Sequence, residues 1–382
     1  MRIAICTDIY LPQLSGIADS LGILARELKM RGHSVRIYAP HLPGAIIDPE
    51  IMRLPSYQIP GAGGLSLVMP LGVVRDMKNF KPDVIHTNTY STAGLFALYA
   101  AWRLRVPLVG TDHTFPADYL HYVKLNFRPF PYLIKKFAAW YYNHCGFVTA
   151  PSKSMLNELA AYGMHRSVRA ISNHIPSDVF RPLPAKEELK KKYGVGPRAI
   201  LIFGRIAREK NLDYAVAIYV EVARRTDAEL VFIGGGPYRA AIEKQVREQK
   251  LDSCVRFLGT LRDEPLVEAI NACEVFLITS TSETQSMTTL QAMACCLPVV
   301  AIAAGGLPEY VHDGENGFVV SSEQKDLFVE KIITLLNNTE LAQRLGAAGR
   351  VSVAPFAPEH IAGQFEGIYR NVIRQSYGSE TV

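Results

Sequence analysis

The sequence predicts an α/β protein made of two doubly wound domains, each a parallel sheet with helices on both faces. Three observations lead there. Short apolar runs rich in β-branched residues alternate with amphipathic stretches along the whole chain. The runs are apolar throughout, with little alternation, as strands covered on both faces must be. They also fall into two series, divided at Phe180-Arg181-Pro182-Leu183-Pro184, where two prolines interrupt the pattern.

The first series of strands reads Arg2–Cys6, Val35–Ala39, Asp83–His86, Pro107–Gly110 and Phe147–Ala150. The second reads Ala199–Phe203, Glu229–Ile233, Val255–Leu258, Val275–Thr279, Val299–Ile302 and Gly317–Val320. Ile17–Arg31, Leu212–Arg225 and Tyr238–Gln249 have the apolar spacing of helices packed on a sheet, and a charged helix opens the second half at Lys186–Lys192. The expected organisation is therefore a domain over 1–182, a second over 183–357, and a C-terminal helix within 358–382 that packs back toward the first.

Composition narrows the class. Of 382 residues, 48% are hydrophobic and 20% charged, which is ordinary for a globular chain with a core in each half. A net charge of +5 suits phosphate-bearing ligands or an anionic surface but is too small to argue for nucleic acid. Cys6, Cys145, Cys254, Cys273, Cys295 and Cys296 form no Cys-x-x-Cys pair, so neither a zinc site nor a disulfide framework is expected, and a reducing cytoplasm is. Ile3–Cys6 is too short for a signal peptide, and no run of about 18 apolar residues could span a membrane.

Ligands of open α/β sheets sit beyond the carboxyl ends of the strands, so the motifs there carry the functional reading. Strand one leads through Thr7–Ser15 to Gly16, where a helix start offers backbone amides to an anion; a plain strand-to-helix turn reads the same way. Gly204-Arg205-Ile206-Ala207-Arg208-Glu209-Lys210-Asn211 follows the first strand of the second series. Arg205 and Lys210 there could supply two fixed cations for a diphosphate leaving group, or form a solvated turn. Ile233-Gly234-Gly235-Gly236-Pro237-Tyr238-Arg239 is glycine-rich but is not a dinucleotide fingerprint, because Arg239 takes the third glycine position.

Ser282–Ala294 reads as a polar loop opening a helix near Thr288, either an anion site or, equally well, an N-capped core helix with Thr288 as cap. Its first amides would receive a phosphate, with Glu283 and Gln291 flanking. His113 lies just past another strand end, in Thr111-Asp112-His113-Thr114. Across 121–142, Lys124, Arg128, Lys135 and Lys136 interleave with Phe127, Phe130, Tyr132, Phe137, Trp140 and Tyr141. That is the pattern of a face in the membrane interface, and equally of a buried helix with snorkelling lysines.

Taken together these residues resemble glycosyltransferase family 4, retaining enzymes of the GT-B fold, in which two Rossmann-like domains face each other across a cleft. Gly16 matches the glycine of the family's first loop and His113 its active-site histidine. Arg205 and Lys210 match its Arg-x4-Lys, and Glu283 and Gln291 stand at the ends of its Glu-x7-Glu. The resemblance implies a nucleoside-diphosphate sugar, often UDP-linked, as co-substrate, with no other cofactor and no metal. It implies that Gly16, Arg205, Lys210 and the amides near Thr288 and Thr289 neutralise the departing diphosphate. Glu283 would hold the sugar hydroxyls and support charge at the anomeric carbon, His113 would contact the sugar or orient attack, and Gln285, Ser286, Met287 and Gln291 would line the sugar and ribose. Around Thr111–Tyr122 the chain is similar to the branch that glucosylates diacylglycerol-type lipids, which implies a lipid or glycan acceptor and peripheral contact with the inner face of a membrane.

Four positions depart from the family pattern: Gln291 for glutamate, Ser286 for glycine, Cys296 for a helix-end glycine, and Asn173-His174-Ile175-Pro176 for Asn-Gly-Ile-Asp. They leave two other readings open, a nucleotide-sugar-binding homologue without turnover and another enzyme of the same fold such as an epimerase.

Overall fold

A computed structural model of the chain describes residues 1–378 except 14, 46, 59–65 and 114–128. It divides into two compact units, Met1–His174 with Pro358–Val382, and Ile175–Ala357. The division falls ahead of the expected break at 182/183. Ile175 and Phe180 are buried in the core of the second unit, and the Ile175 N–H donates to the Phe356 carbonyl at 2.8 Å.

In the first unit the strands are β1 (Arg2–Cys6), β2 (Ser34–Pro40), β3 (Ile51–Leu54), β4 (Ser56–Gln58), β5 (Ser66–Val68), β6 (Val84–Thr87), β7 (Leu108–Thr111), β8 (Phe147–Ala150) and β9 (Val168–Ala170). Seven of them form one parallel sheet in the order β3-β2-β1-β6-β7-β8-β9, while β4 and β5 pair as a separate antiparallel hairpin. Its helices are α1 (Gly16–Met30), α2 (Val73–Phe80), α3 (Thr92–Leu104), α4 (Pro129–Tyr142) and α5 (Lys153–Ala161). Ile3, Ala4, Ile5 and Cys6 are all fully buried, so a wholly apolar run is what this central strand requires.

The second unit holds α6 (Lys186–Tyr193), β10 (Ala199–Phe203), α7 (Leu212–Ala223), β11 (Glu229–Ile233), α8 (Arg239–Glu248), β12 (Val255–Gly259) and α9 (Asp263–Asn271). It continues with β13 (Val275–Ile278), α10 (Met287–Ala294), β14 (Val299–Ile302), β15 (Phe318–Val320), α11 (Lys325–Asn337) and α12 (Thr339–Val353). Its sheet is parallel in the order β12-β11-β10-β13-β14-β15. The last helix, α13 (Pro358–Tyr377), belongs to the first unit. Its Phe365, Tyr369 and Val372 share a core with Ile3 and Ile5 of β1 and Leu21 and Leu28 of α1.

Both sheets reverse their strand order once, between β1 and β6 in the first unit and between β10 and β13 in the second. Loops leaving adjacent strands at such a point run apart and open a crevice at the carboxyl ends. Register makes the first crevice specific: Cys6 of β1 stands opposite Thr87 of β6, and the Asn88 N–H donates to the Cys6 carbonyl at 2.9 Å.

Candidate functional site

In the second unit, the loops at the switch point are those after β10 and after β13, the two that carry Arg205, Lys210 and Glu283. Lys210 Nζ lies 2.6 Å from Glu283 Oε1, an ion pair whose carboxylate is buried. Arg205 pairs with Glu209 four residues on, and the Glu209 side chain is only 4% exposed. A guanidinium has five N–H donors and an ammonium three, so each cation can keep its carboxylate and still meet an anion. The two loops are latched by reciprocal side-chain to main-chain hydrogen bonds: Thr279 Oγ1 donates to the Asn211 carbonyl at 3.0 Å and Asn211 Nδ2 to the Thr279 carbonyl at 3.2 Å. Glu283 is anchored from behind as well, its carbonyl accepting the Gly306 N–H at 2.7 Å. Gly305 passes so close that a Cβ on it would fall 2.3 Å from that same oxygen.

The helix α10 corrects the expected cap. Ser286, not Thr288, is the N-cap: its Oγ accepts the Thr289 N–H at 3.2 Å and also meets Thr288 Oγ1 at 2.9 Å. Ser286 is itself held through its N–H by the buried hydroxyl of Tyr310, at 2.9 Å. Thr289 therefore sits behind the cap, fully buried, with its amide occupied. The Met287 and Thr288 amides are the ones a helix start leaves without an intrahelical acceptor. On α10 the partly exposed residues are Met287, Thr288 and Gln291, and Thr288 Cγ2 stands 3.2 Å from where a Cβ on Gly204 would be. Gln291 thus shares the accessible stripe with Thr288, at the end of β10, while Gln285 and Ser286 are buried beneath it.

The departures have local explanations. Ser286 supplies a capping oxygen that glycine lacks. Cys296 takes φ +61° just past α10, so the backbone keeps the left-handed turn a glycine would make there. His174 is buried, with Nε2 2.5 Å from the Ser20 carbonyl on α1. The glycine-rich strand end has an architectural reason too. A Cβ on Gly234 would lie 1.9 Å from the Gly204 carbonyl oxygen, and one on Gly236 2.2 Å from that of Ile206.

Gly16 and His113 lie in the first unit. Gly16 is the exposed first residue of α1, behind the cap Ser15, whose side chain accepts the Ile17 N–H. His113, just past β7, is 2.9 Å from Asn88 Oδ1 through Nε2. Burial, seconded by the charge of His174, pulls its pKa down to about 4, and burial likewise pulls His174 to about 4 and His86 to about 3. All three imidazoles are therefore neutral at pH 7, a state in which His113 can donate or accept a hydrogen bond. Asp8, at the end of β1, accepts from Thr89 Oγ1 at 2.7 Å, from Ser91 Oγ, and from the Ala93 N–H at 3.0 Å. It caps α3 from another element, and burial raises its pKa to about 6.

Asp8, Asn88, Glu209 and Tyr310 were missed as site residues by the sequence reading. Asp8 and Asn88 had one signal, their position just past β1 and β6, and Glu209 had another, its place four residues after Arg205; Tyr310 had none, since only packing brings it to Ser286. Among the described residues no three His, Cys, Asp or Glu side chains gather as a metal ion would need. The residues 114–128, which include much of the stretch similar to lipid glucosyltransferases and the first part of 121–142, lie outside the described residues.

Comparison with known proteins agrees on both halves. The model of glycosyltransferase family 4 matches residues 14–179, and that of glycosyl transferases group 1 matches 185–352. Alpha-monoglucosyldiacylglycerol synthase of Acholeplasma laidlawii is 29% identical over 391 residues, covering 98% of each chain. The protein of the same name from Streptococcus pneumoniae is 30% identical over 79% of this chain and 71% of its own length. HepE of Anabaena, solved with UDP, superposes with a TM-score of 0.80 at 20% identity, over 97% of this chain and all of that one, which places the fold as two-domain GT-B.

Proposed function

Because this chain belongs to glycosyltransferase family 4, in the branch of the diacylglycerol glucosyltransferases, and is a glycosyltransferase, we propose that it moves a hexose from a UDP-linked sugar to a lipid hydroxyl with retention. The observation that carries this reading is the pair of carboxylate-anchored cations, Arg205 and Lys210, set beside the capped start of α10 at the switch point. A departing diphosphate develops charge there, and preorganised donors stabilise it without reorganising. Lys210 bridges Glu283 and phosphate, Glu283 receives the sugar hydroxyls, and neutral His113, oriented by Asn88, hydrogen-bonds the sugar or acceptor. Gly16 lies near the donor phosphates and Gln291 meets the ribose. The two cations would supply the positive charge that a metal ion supplies in other transferases, and the transfer proceeds without one. The acceptor is diacylglycerol or a related lipid, reached at the inner face of a membrane, with exposed Tyr132, Leu133, Phe137 and Trp140 of α4 in contact with the bilayer, while Tyr141, expected on that face, is buried against α3.

The test is a transfer assay with UDP-glucose and diacylglycerol in detergent micelles containing excess EDTA. An α-linked glucolipid is expected, at a rate unchanged by the chelator. A β-linked product would refute retention, and loss of activity restored by magnesium would refute metal-free transfer. A donor that raises the melting temperature without turnover would favour the binding-protein alternative.

Gln291 gives a second test, because its amide cannot accept from both ribose hydroxyls as a carboxylate can. Gln291→Glu should tighten donor binding by about 1–2 kcal/mol, roughly 5–30-fold, in isothermal titration. A 2′-deoxyribose donor should lose most of that gain. Equal affinity of both proteins for the ribose donor would mean that residue 291 does not face the nucleotide.

A further inference from the structure

Both tryptophans of the chain are at the surface of the first unit: Trp102 on α3 is 72% exposed and Trp140 on α4 48%. On α3, Leu95, Tyr99 and Trp102 are all exposed at 42%, 53% and 72%. Their spacing of four and then three residues puts them on one stripe of the helix. Tyr99 and Trp102 rest ring against ring at 5.9 Å, as do Phe137 and Trp140 on α4 at 5.5 Å. The two helices are neighbours, since the Tyr141 hydroxyl donates to the Gly94 carbonyl at 2.9 Å. The second unit offers no counterpart: among the described residues its exposed large hydrophobics are Val179 and Val351.

Charge selects the occupant. α3 holds no Asp or Glu and ends in exposed Arg103 followed by exposed Arg105, and on α4 Lys136 is exposed while Lys135 is paired with Glu158 of α5 at 2.5 Å. A second protein surface would usually meet such a face with mixed polarity. On α3, aromatic rings with basic side chains and no carboxylate match the headgroup layer of an anionic bilayer. Asp8 holds the first turn of α3 at the carboxyl ends of β1 and β6, so the stripe begins beside the crevice of this unit.

We propose that the stripe Leu95, Tyr99 and Trp102 of α3, with Arg103 and Arg105, seats the first unit in the interface of a bilayer containing anionic lipid. The inference rests on the lipid-acceptor reading and adds a second docking element to α4. The face is part of neither candidate crevice, so it governs access to the acceptor and not the chemistry.

The tryptophans themselves are the probes. In Trp140→Phe, which leaves Trp102 as the sole emitter, vesicles of phosphatidylcholine with phosphatidylglycerol should shift the emission to the blue, and brominated phosphatidylcholine should quench it. Pure phosphatidylcholine vesicles should bind more weakly. The combined variant Leu95→Ser, Tyr99→Ser, Trp102→Ser should bind anionic vesicles about 10²-fold more weakly. It should keep the parent rate on acceptor presented in detergent micelles. Unchanged Trp102 emission on vesicles that do bind the protein would overturn the docking face alone, as would shielding of Trp102 by self-association without vesicles, seen in sedimentation. Absence of transfer to any lipid acceptor in micelles would instead overturn the function it rests on.

Discussion

Arg205→Ala should lower turnover at saturating donor by about 10²–10³-fold, because it removes a fixed cation from the place where the leaving diphosphate gains charge. The wild-type side chain is 31% exposed and stands on Glu209, whose carboxylate is 4% exposed. Losing the guanidinium therefore also costs some stability, of about 1 kcal/mol after discounting for solvent at the exposed partner. The two effects separate cleanly. Stopped assays at 25 °C read turnover on protein that urea unfolding shows to be folded, and Arg205→Lys restores the charge without the bidentate fork. A lysine variant between wild type and alanine is the expected order. Turnover within threefold of wild type in the alanine variant would mean that Arg205 is a solvated partner of Glu209 and nothing more.

Gly234→Ala should be among the most destabilising single substitutions in the second unit. The backbone there has φ +136°, and the new methyl would sit 1.9 Å from the Gly204 carbonyl oxygen, a main-chain atom that cannot swing aside. Relief requires β10 and β11 to separate at their carboxyl ends, where the Gly204 N–H donates to the Ile233 carbonyl at 2.9 Å. We expect a loss of about 3 kcal/mol or more, read as a lower urea midpoint, and impaired donor binding because Arg205 follows Gly204 directly. Gly235→Ala is the internal control. Its methyl would meet a flexible side-chain oxygen, Thr260 Oγ1, at 3.1 Å, so its cost should be much smaller. Equal midpoints for the two variants would show that the close approach of β10 and β11 is not a constraint.

Local sequence carried the elements that are uniform in environment. β1, β8, β10, β11 and β14 have the bounds that their apolar runs predict, because a strand buried on both faces must be apolar at every position. The motif residues were legible too: Arg205, Lys210, Glu283 and Gln291 fall at the carboxyl ends of β10 and β13 or on the helix that follows. What failed to show were the edges and the hairpin, β3, β4, β5 and β9, which are three or four residues long and partly exposed, so no periodicity marks them. The cap of α10 was ambiguous for a similar reason. Ser286 and Thr288 are both competent caps, and the choice rests on where the helix begins, which the Tyr310 hydroxyl helps set from beyond β14.

The sequence by itself thus determined the strands buried on both faces and which charged residues stand at their ends. Tertiary structure alone decided which strand ends are neighbours. β1 lies against β6 and β10 against β13, pairings between segments far apart in the chain that no local pattern encodes. From those pairings follow the Asp8 cap on α3, the Asn88 contact to His113, and the Lys210–Glu283 pair. Glycines 234 and 236 illustrate the same division. Their presence is written in the sequence, but their reason is steric and non-local, the passage of one backbone within a methyl's reach of another.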